Sequence, residues 1–306
     1  MSPAEFRTER IHTGTIELNL LKLGAPDAPT IVMIHGLRDT AWALTPLATD
    51  LQQALDVQVV IIELRGHGTS ERSEAYAMPN FLMDVFEVIQ TLPAPVGLFG
   101  HSLGGHITYK FCALFPELIK AAMLVEGLGP PRRPHQGDEV KERANYREML
   151  LARMRSTGSG KPIQDIQDAS ARLQRGNPRL SPDFAEFIAG HLVQQTEAGL
   201  QWAFDSRASS VFIDTNPDTD AKFWRGVEAP TCLVSGELSY EYWGAQFNPA
   251  EFSGRFAPGE MEQRVAQFAN AEHHWFEHSG HMVHYDEPQR LSKLAIQFFS
   301  KHMTST

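Results

Sequence analysis

Eleven residues, Pro95 to Gly105, contain the feature that most restricts what this chain can fold into. A short apolar run ends in Gly-His-Ser-Leu-Gly (Gly100 to Gly104), and an amphipathic segment begins at Ile107. This order is typical of a strand, a sharp turn and a helix, with Ser102 at the apex of the turn. A serine on so tight a turn has a strained backbone, and a Cβ two residues to either side would clash with a neighbouring element. The pattern predicts a serine hydroxyl that is held clear of a β-sheet.

Apolar runs of strand length alternate with segments of helical periodicity on both sides of this turn. Such alternation predicts an α/β fold with a doubly wound, mostly parallel sheet, covered by helices on both faces. The predicted strands are 11–23 (one or two antiparallel edge strands), 31–34, 59–64, 95–99, 121–125, 229–236 and 274–276, and the predicted helices are 43–55, 79–92, 107–114 and 288–301.

The pattern changes after the proline pair at 130–131. From about Arg132 to Gly226 the sequence contains no run typical of a buried strand, only polar and amphipathic helical segments. One helix start is clear at Ser181-Pro182-Asp183, where a capping side chain precedes a proline and an acid. We therefore expect a core of residues 1–131 and 227–306 and a helical cap of residues 132–226, inserted between two strands and lying over the site.

Composition narrows the classes of function. The chain has 27 basic and 37 acidic residues, a formal net charge of −10, which argues against a nucleic-acid partner and gives no polybasic signal for a membrane surface. No run approaches the roughly 18 apolar residues that a membrane span needs, and the N-terminus has no apolar segment typical of a signal peptide. A cytoplasmic protein is expected, and its oligomeric state is not predicted.

Neither a metal ion nor an organic cofactor is expected. The two cysteines, Cys112 and Cys232, lack metal-ligand spacing and are predicted to be buried apolar residues of a reducing compartment. Histidines cluster near the C-terminus, but the cysteine and carboxylate residues around them also lack the spacing of a zinc motif. No glycine-rich dinucleotide or phosphate loop follows the first parallel strand.

Four motifs in order resemble those of the α/β-hydrolase fold family, over nearly the whole chain outside the cap. They are His35-Gly36 at a strand end, the turn at 63–70 (Glu-Leu-Arg-Gly-His-Gly-Thr-Ser), the Gly100 to Gly104 elbow, and Ser-Gly-His-Met-Val at 279–283. The resemblance implies that Ser102 is the nucleophile and His281 its base. It also implies an oxyanion hole formed by the backbone N–H groups of Leu37 and Leu103. The histidines at 35, 67, 101 and 106 are interpreted as structural.

The acid of the triad departs from the commonest family pattern. Many members have an aspartate three residues after the glycine that ends the post-cap strand, and Ser239 occupies that place here. Two carboxylates remain, Glu237 and Glu126. Glu126 ends the strand after the elbow, and its turn resembles that of certain haloalkane dehalogenases, which take their acid from this strand. A carboxylate at the end of an apolar strand needs a partner, since an unpaired buried charge is unfavourable. We favour Glu126, with Glu237 as the alternative.

These residues predict acyl transfer to water through an acyl-serine, on a small-molecule carboxylic ester or lactone. Relatives with the same triad hydrolyse C–C bonds or thioesters or carry out perhydrolysis, and a non-catalytic small-molecule receptor can keep the same residues. These alternatives stay open. Three further side chains, Arg38, Trp42 and Trp202, are candidates for contact with the substrate.

Overall fold

The computed structural model describes residues 5–132, 137–155, 162–212, 217–246 and 252–303. The strands in these ranges are β1 (Arg7–Thr13), β2 (Ile16–Leu23), β3 (Thr30–Ile34), β4 (Gln58–Glu63), β5 (Val96–His101), β6 (Ile119–Val125), β7 (Val193–Thr196), β8 (Gly199–Trp202), β9 (Thr231–Gly236) and β10 (Ala271–Phe276). The α-helices are α1 (Thr45–Leu55), α2 (Met78–Gln90), α3 (Leu103–Leu114), α4 (Glu139–Arg155), α5 (Ile166–Gly176), α6 (Pro182–Leu192), α7 (Pro217–Trp224), α8 (Tyr240–Gln246), α9 (Glu260–Val265), α10 (Val283–Asp286) and α11 (Pro288–Met303). None of the helices in these ranges is long and apolar enough to cross a membrane.

Eight strands form one sheet in the order β1-β2-β4-β3-β5-β6-β9-β10. The first two strands are antiparallel to each other, and β2 is antiparallel to β4. The other pairs are parallel. This confirms the predicted doubly wound, mostly parallel sheet. Because β5, β6 and β9 are neighbours, the residues that follow their carboxyl ends meet at one edge of the sheet, where α/β folds form their sites.

The central parallel strands are mostly apolar because helices cover both faces of the sheet there, whereas the edge strand β1 is polar and exposed. All five residues of β3 are buried, and they alternate between two hydrophobic clusters. Val32 and Ile34 pack on the side of α2 and α3. Ile31 and Met33 pack on the side of α1 and α11. Because successive side chains of a strand point to opposite faces, β3 contributes to the hydrophobic clusters on both sides of the sheet.

Residues 137–226 contribute helices α4 to α7 and a small hairpin, β7–β8. The predicted helix start is present, since the Ser181 side chain accepts a hydrogen bond from the N–H of Phe184. The hairpin differs from the expectation of helices alone. Its strands are four residues long and half-buried, so they lack the apolar run that marks a buried strand. Two further helices, α8 and α9, lie between β9 and β10 and were not predicted.

The segment between β6 and β9, here called the inserted region, is attached to the turn after β4. The N–H of Asp205 donates to the carbonyl of Gly66 at 2.7 Å, and the Tyr76 hydroxyl donates to the Asp205 carboxylate at 2.9 Å. Burial of Asp205 favours the neutral acid, but hydrogen bonds from Arg207 and Tyr76 outweigh it and lower its pKa. The pair of hydrogen bonds fixes the position of this segment against the sheet edge.

Candidate active site

Ser102 lies at the tip of the turn between β5 and α3, in a conformation that ordinary residues rarely adopt. Its φ is 52° and its ψ is −114°. A Cβ at Gly100 would lie 2.3 Å from the carbonyl oxygen of Gly104, and a Cβ at Gly104 would lie 2.1 Å from that of Ile34. Only glycine fits at these two positions. The strained turn is therefore built by close backbone packing, which holds the serine clear of the sheet.

His281 makes hydrogen bonds to both Ser102 and Glu126. Its Nε2 is 2.9 Å from the Ser102 Oγ, and its Nδ1 is 3.0 Å from the Glu126 Oε2. An ionised carboxylate only accepts hydrogen bonds, so Nδ1 carries the ring proton and Nε2 is left to accept the serine proton. The order serine, imidazole, carboxylate is the arrangement that activates a hydroxyl as a nucleophile.

Glu126 is held from two sides. Its second carboxylate oxygen, Oε1, accepts the N–H of Gly236 at 2.7 Å, and its own N–H donates to the carbonyl of Val234 at 2.8 Å. Its φ is 53°, a left-handed backbone for a residue other than glycine. A Cβ at Gly105 would lie 2.5 Å from the Cα of Gly127, so α3 packs directly on this turn. The end of β9 and the start of α3 together aim the carboxylate at His281.

The alternative acid, Glu237, is exposed, and no hydrogen bond joins its carboxylate to His281 in the described part of the chain. Its N–H donates to the carbonyl of Phe276. Ser239, in the place of the usual aspartate, is buried, and its Oγ has no hydrogen-bond partner among the described residues. The structure therefore brings Glu126, and not Glu237, to the imidazole.

The turn after β3 approaches Ser102 closely. A Cβ at Gly36 would lie 3.2 Å from the Ser102 Cβ, so the backbone at Leu37 is adjacent to the serine. The next N–H, that of Arg38, donates to the Nε2 of His67 at 3.0 Å. Burial lowers the pKa of His67 to about 3, so this ring is neutral and accepts. The Arg38 N–H therefore already has an acceptor, the Nε2 of His67.

Leu103 is the first residue of α3, and the first N–H groups of a helix have no intrahelical partner. The positive end of the helix macrodipole also points at this position. The two turns thus bring the backbone at Leu37 and at Leu103 beside Ser102.

A buried polar cluster joins the turn after β3 to the segment that carries His281. Asp39 accepts from the Tyr285 hydroxyl at 2.7 Å and bonds the Nε2 of His284 at 3.2 Å. Burial acts to raise the pKa of Asp39, but the hydrogen bond and charge of His284 outweigh it and bring the value down to about 2. His101 Nε2 lies 2.9 Å from the carbonyl oxygen of His281. These contacts fix the backbone on both sides of the candidate site.

Two aromatic residues of α8 flank the imidazole and were missed by the sequence analysis. The ring of Tyr242 stacks on His281 with centroids 4.0 Å apart and planes 8° apart, and Trp243 meets it edge-on at 5.0 Å. Burial raises the pKa of Tyr242, while the charge of Arg38 acts to lower it. The available signal was the run Tyr-Glu-Tyr-Trp at 240–243, which closely follows the carboxyl end of β9.

Replacing Tyr242 by alanine is expected to lower kcat about fivefold, because the stacked ring orients the imidazole and an aromatic pair contributes roughly 1 kcal/mol beyond its buried area. Tyr242→Phe keeps the ring and should retain most of the rate. Steady-state kinetics of both variants would check this. Equal losses in the two variants would assign the effect to the hydroxyl instead.

The three candidate substrate-contact residues have different surroundings. Arg38 is exposed with a φ of 63°, and its charge reaches Tyr242 as described above. Trp42 is half-buried and stacks on His191 with centroids 4.2 Å apart. Trp202 is half-buried, stacks on Phe204 and packs against the apolar side of α6. Trp42 thus contacts the inserted region, and Trp202 belongs to it.

Known proteins resemble this chain in sequence and in fold. The sequence model described as "Alpha/beta hydrolase family" matches residues 31–294. A serine hydrolase-like protein of Danio rerio is 24% identical over 280 residues, which cover 88% of this chain and 80% of that protein. The thioesterase domain from the curacin biosynthetic pathway has a similar fold, with a TM-score of 0.76, 24% identity and coverage of 96% and 99% of the two chains. An esterase from Mycobacterium tuberculosis has a TM-score of 0.67, 19% identity and coverage of 95% and 90%.

Proposed function

The chain belongs to the alpha/beta hydrolase family, and from this premise we propose that it is a serine hydrolase that cleaves a carboxylic ester or lactone through an acyl-serine intermediate. The observation that carries the proposal is the hydrogen-bonded series Ser102, His281 and Glu126, with distances of 2.9 and 3.0 Å. A serine at the elbow favours acyl chemistry over the displacement chemistry of family members that have an aspartate there.

The proposed reaction has two halves. Ser102 Oγ attacks the ester carbonyl as His281 Nε2 takes its proton, and the imidazolium then protonates the leaving alcohol. Water attacks the acyl-serine in the second half, with His281 again as base. Glu126 keeps the proton on Nδ1 and stabilises the imidazolium, because its second oxygen is tied to the Gly236 N–H and cannot swing away.

The N–H groups of Leu37 and Leu103 are proposed to bind the oxyanion that forms on attack. Donors of this kind stabilise the tetrahedral intermediate more than the ground-state carbonyl, and losing one typically lowers kcat by a factor of about 10²–10³. Both donors belong to the backbone, so the arrangement tolerates any side chain at these positions. The support is the short approach of Gly36 to Ser102 and the position of Leu103 at the start of α3.

The inserted region is proposed to act as the cap that selects the substrate. It contacts the core at Trp42 and at Tyr285, which meets Phe184 edge-on at 5.6 Å. Both contacts lie beside the turns that carry the proposed oxyanion donor and His281. A helical segment in this place limits the size of the group that can enter.

The variant Trp202→Ala is expected to change the preferred acyl or alcohol size more than it changes the melting temperature, since the ring is only half-buried. Relative kcat/KM across esters of graded length, together with a thermal melt, would check this. A large fall in melting temperature with unchanged selectivity would instead make Trp202 part of the cap's own core.

The proposal is tested by a panel of chromogenic esters of graded acyl length, run beside a lactone and a thioester and together with a fluorophosphonate probe that labels activated serines. Ester turnover and covalent labelling of Ser102 are expected. Labelling without turnover of any member of the panel would contradict ester hydrolysis while leaving an activated serine. Absence of both would favour a binding protein.

A further inference from the structure

A cysteine, a glutamate and a histidine meet on one face of the sheet, at the edge away from the N-terminus. In the parallel register of β9 and β10, Glu272 is the partner of Cys232 and His274 is the partner of Val234. Side chains two residues apart on a strand share a face, so His274 lies on the same side as Glu272 and Cys232. A ligand atom from each of these three residues lies within 4.8 Å of the others.

The polar atoms of this cluster are only partly satisfied by one another. The Nε2 of His274 is buried and has no hydrogen-bond partner among the described residues, and it faces the Glu272 Oε1 at 3.4 Å. The Cys232 thiol is buried, and its pKa is raised by burial and by the adjacent Glu272 carboxylate. An imidazole nitrogen, a thiol sulfur and a carboxylate oxygen thus lie close together. Among the described residues, no other polar group bonds the imidazole nitrogen.

We propose that Cys232, Glu272 and His274 form a binding site for a thiophilic divalent cation, Zn²⁺ by preference. Thiolate and imidazole ligands together suit zinc, whereas magnesium and calcium prefer oxygen ligands throughout. On binding, the sulfur–metal bond forms as the thiol proton passes to solvent, and the carboxylate and the neutral imidazole bind through lone pairs. No electron is transferred.

The geometry requires a small contraction. Zinc binds these atoms at about 2.0–2.3 Å, so its ligands lie roughly 3.3–3.8 Å apart. The three atoms are within 4.8 Å, and the side chains of His274 and Glu272 are 38% and 54% exposed, which leaves them free to rotate inward. Cys232, fixed on β9, is the rigid ligand around which the other two close.

A water molecule would take the fourth position of a tetrahedral zinc ion held by these three residues.

A second group of possible ligands, Asp39, His101 and His284, belongs to the site already described. Its three side chains are buried: the Nε2 of His284 bonds Asp39, and the Nε2 of His101 bonds the carbonyl of His281, whereas the Nδ1 atoms of both histidines have no partner among the described residues. Both Nε2 contacts support the candidate active site. This group is therefore a competing location in the test below, and not the proposed site.

The test is a titration of the full chain, stripped with a chelator and kept reduced, with Co²⁺ alone and then with Zn²⁺ as competitor. One equivalent of Co²⁺ is expected to give the near-ultraviolet absorption of a cobalt–thiolate bond, and Zn²⁺ should remove it. Cys232→Ser should abolish the absorption, and His274→Ala should weaken binding at least about tenfold.

The matched control is His273→Ala. This neighbouring histidine points to the other face of the sheet, where its Nε2 lies 3.0 Å from the Ser235 Oγ, so its loss should leave cobalt binding unchanged. Because Cys232 is buried, Glu272→Gln and His274→Ala provide variants at more exposed positions if Cys232→Ser does not fold. Binding that is absent, or that survives in both of these variants, would overturn the proposal.

A thermal melt gives an independent measurement. An ion that binds only the folded chain, at about a hundredfold excess over its Kd, should raise the melting temperature by about 5 °C. The rise is expected for the parent chain and for His273→Ala, and it should be lost in His274→Ala. An equal rise in all three proteins would place the ion elsewhere and refute the assignment.

Discussion

Replacing Ser102 by alanine is expected to lower kcat by at least about a thousandfold, since the loss of one member of a triad removes nearly all of its catalysis. The Ser102 Oγ is the only atom in the described structure that bonds the Nε2 of His281. The fold should survive, because the strained turn is set by Gly100 and Gly104 and the hydroxyl is not packed. Steady-state kinetics would measure the loss of rate, and a thermal melt would measure whether the fold survives.

Ser70→Ala is the matched control. Ser70 lies in the turn after β4, where its Oγ donates to the carbonyl of Glu63 at 2.6 Å and accepts the N–H of Asn19 at 2.8 Å, and all three residues are buried. Removing it leaves two buried backbone groups with a lost partner, which destabilises the fold by about 1–3 kcal/mol while the chemistry is retained. A Ser102→Ala variant that kept more than about a thousandth of the parent rate would exclude Ser102 as the nucleophile.

Glu126→Gln is expected to lower kcat at least about a hundredfold with little change in substrate binding. The amide keeps the size of the side chain and the contact to Gly236, but it cannot offset the positive charge of the imidazolium at His281. It can also select the wrong ring tautomer by donating to Nδ1. The corresponding change of acid to amide in a serine protease triad lowers turnover about ten-thousandfold. Single-turnover and steady-state rates on one ester would measure the loss.

The comparison variant is Glu237→Gln, which makes the same chemical change at the alternative acid. Glu237 is exposed and its carboxylate does not bond His281, so a loss of less than about tenfold is expected. A large loss of rate at Glu237 with a small one at Glu126 would instead assign the role of the acid to Glu237, which follows β9. Similar losses at both would indicate a general effect of negative charge near the site.

The sequence predicts those parts of the fold and of the site that follow from short, continuous patterns of residues. The elbow around Ser102 is predictable because the spacing of its glycines is a local pattern, although Gly104 is also required by the carbonyl of Ile34 on β3. The parallel strands are predictable because burial on both faces makes them apolar. Glu126 was proposed because a carboxylate at the end of such a strand needs a partner. Its hydrogen bond to His281 is consistent with that reasoning.

The parts that were not predicted depend on contacts between distant segments. Tyr242 and Trp243 look like ordinary residues of a short helix, and only the packing of α8 against His281 distinguishes them. The hairpin β7–β8 is half-buried and polar, so it carries no strand pattern. Cys232 and His274 have no motif spacing because the parallel register, and not a loop, brings them together.

Gly236 contacts two possible positions for one acid. Its N–H binds Glu126, and its carbonyl accepts the N–H of Ser239, the buried residue that stands where many relatives have an aspartate. Because one glycine bonds both segments, the ends of β6 and β9 are held together at the point where the carboxylate meets His281.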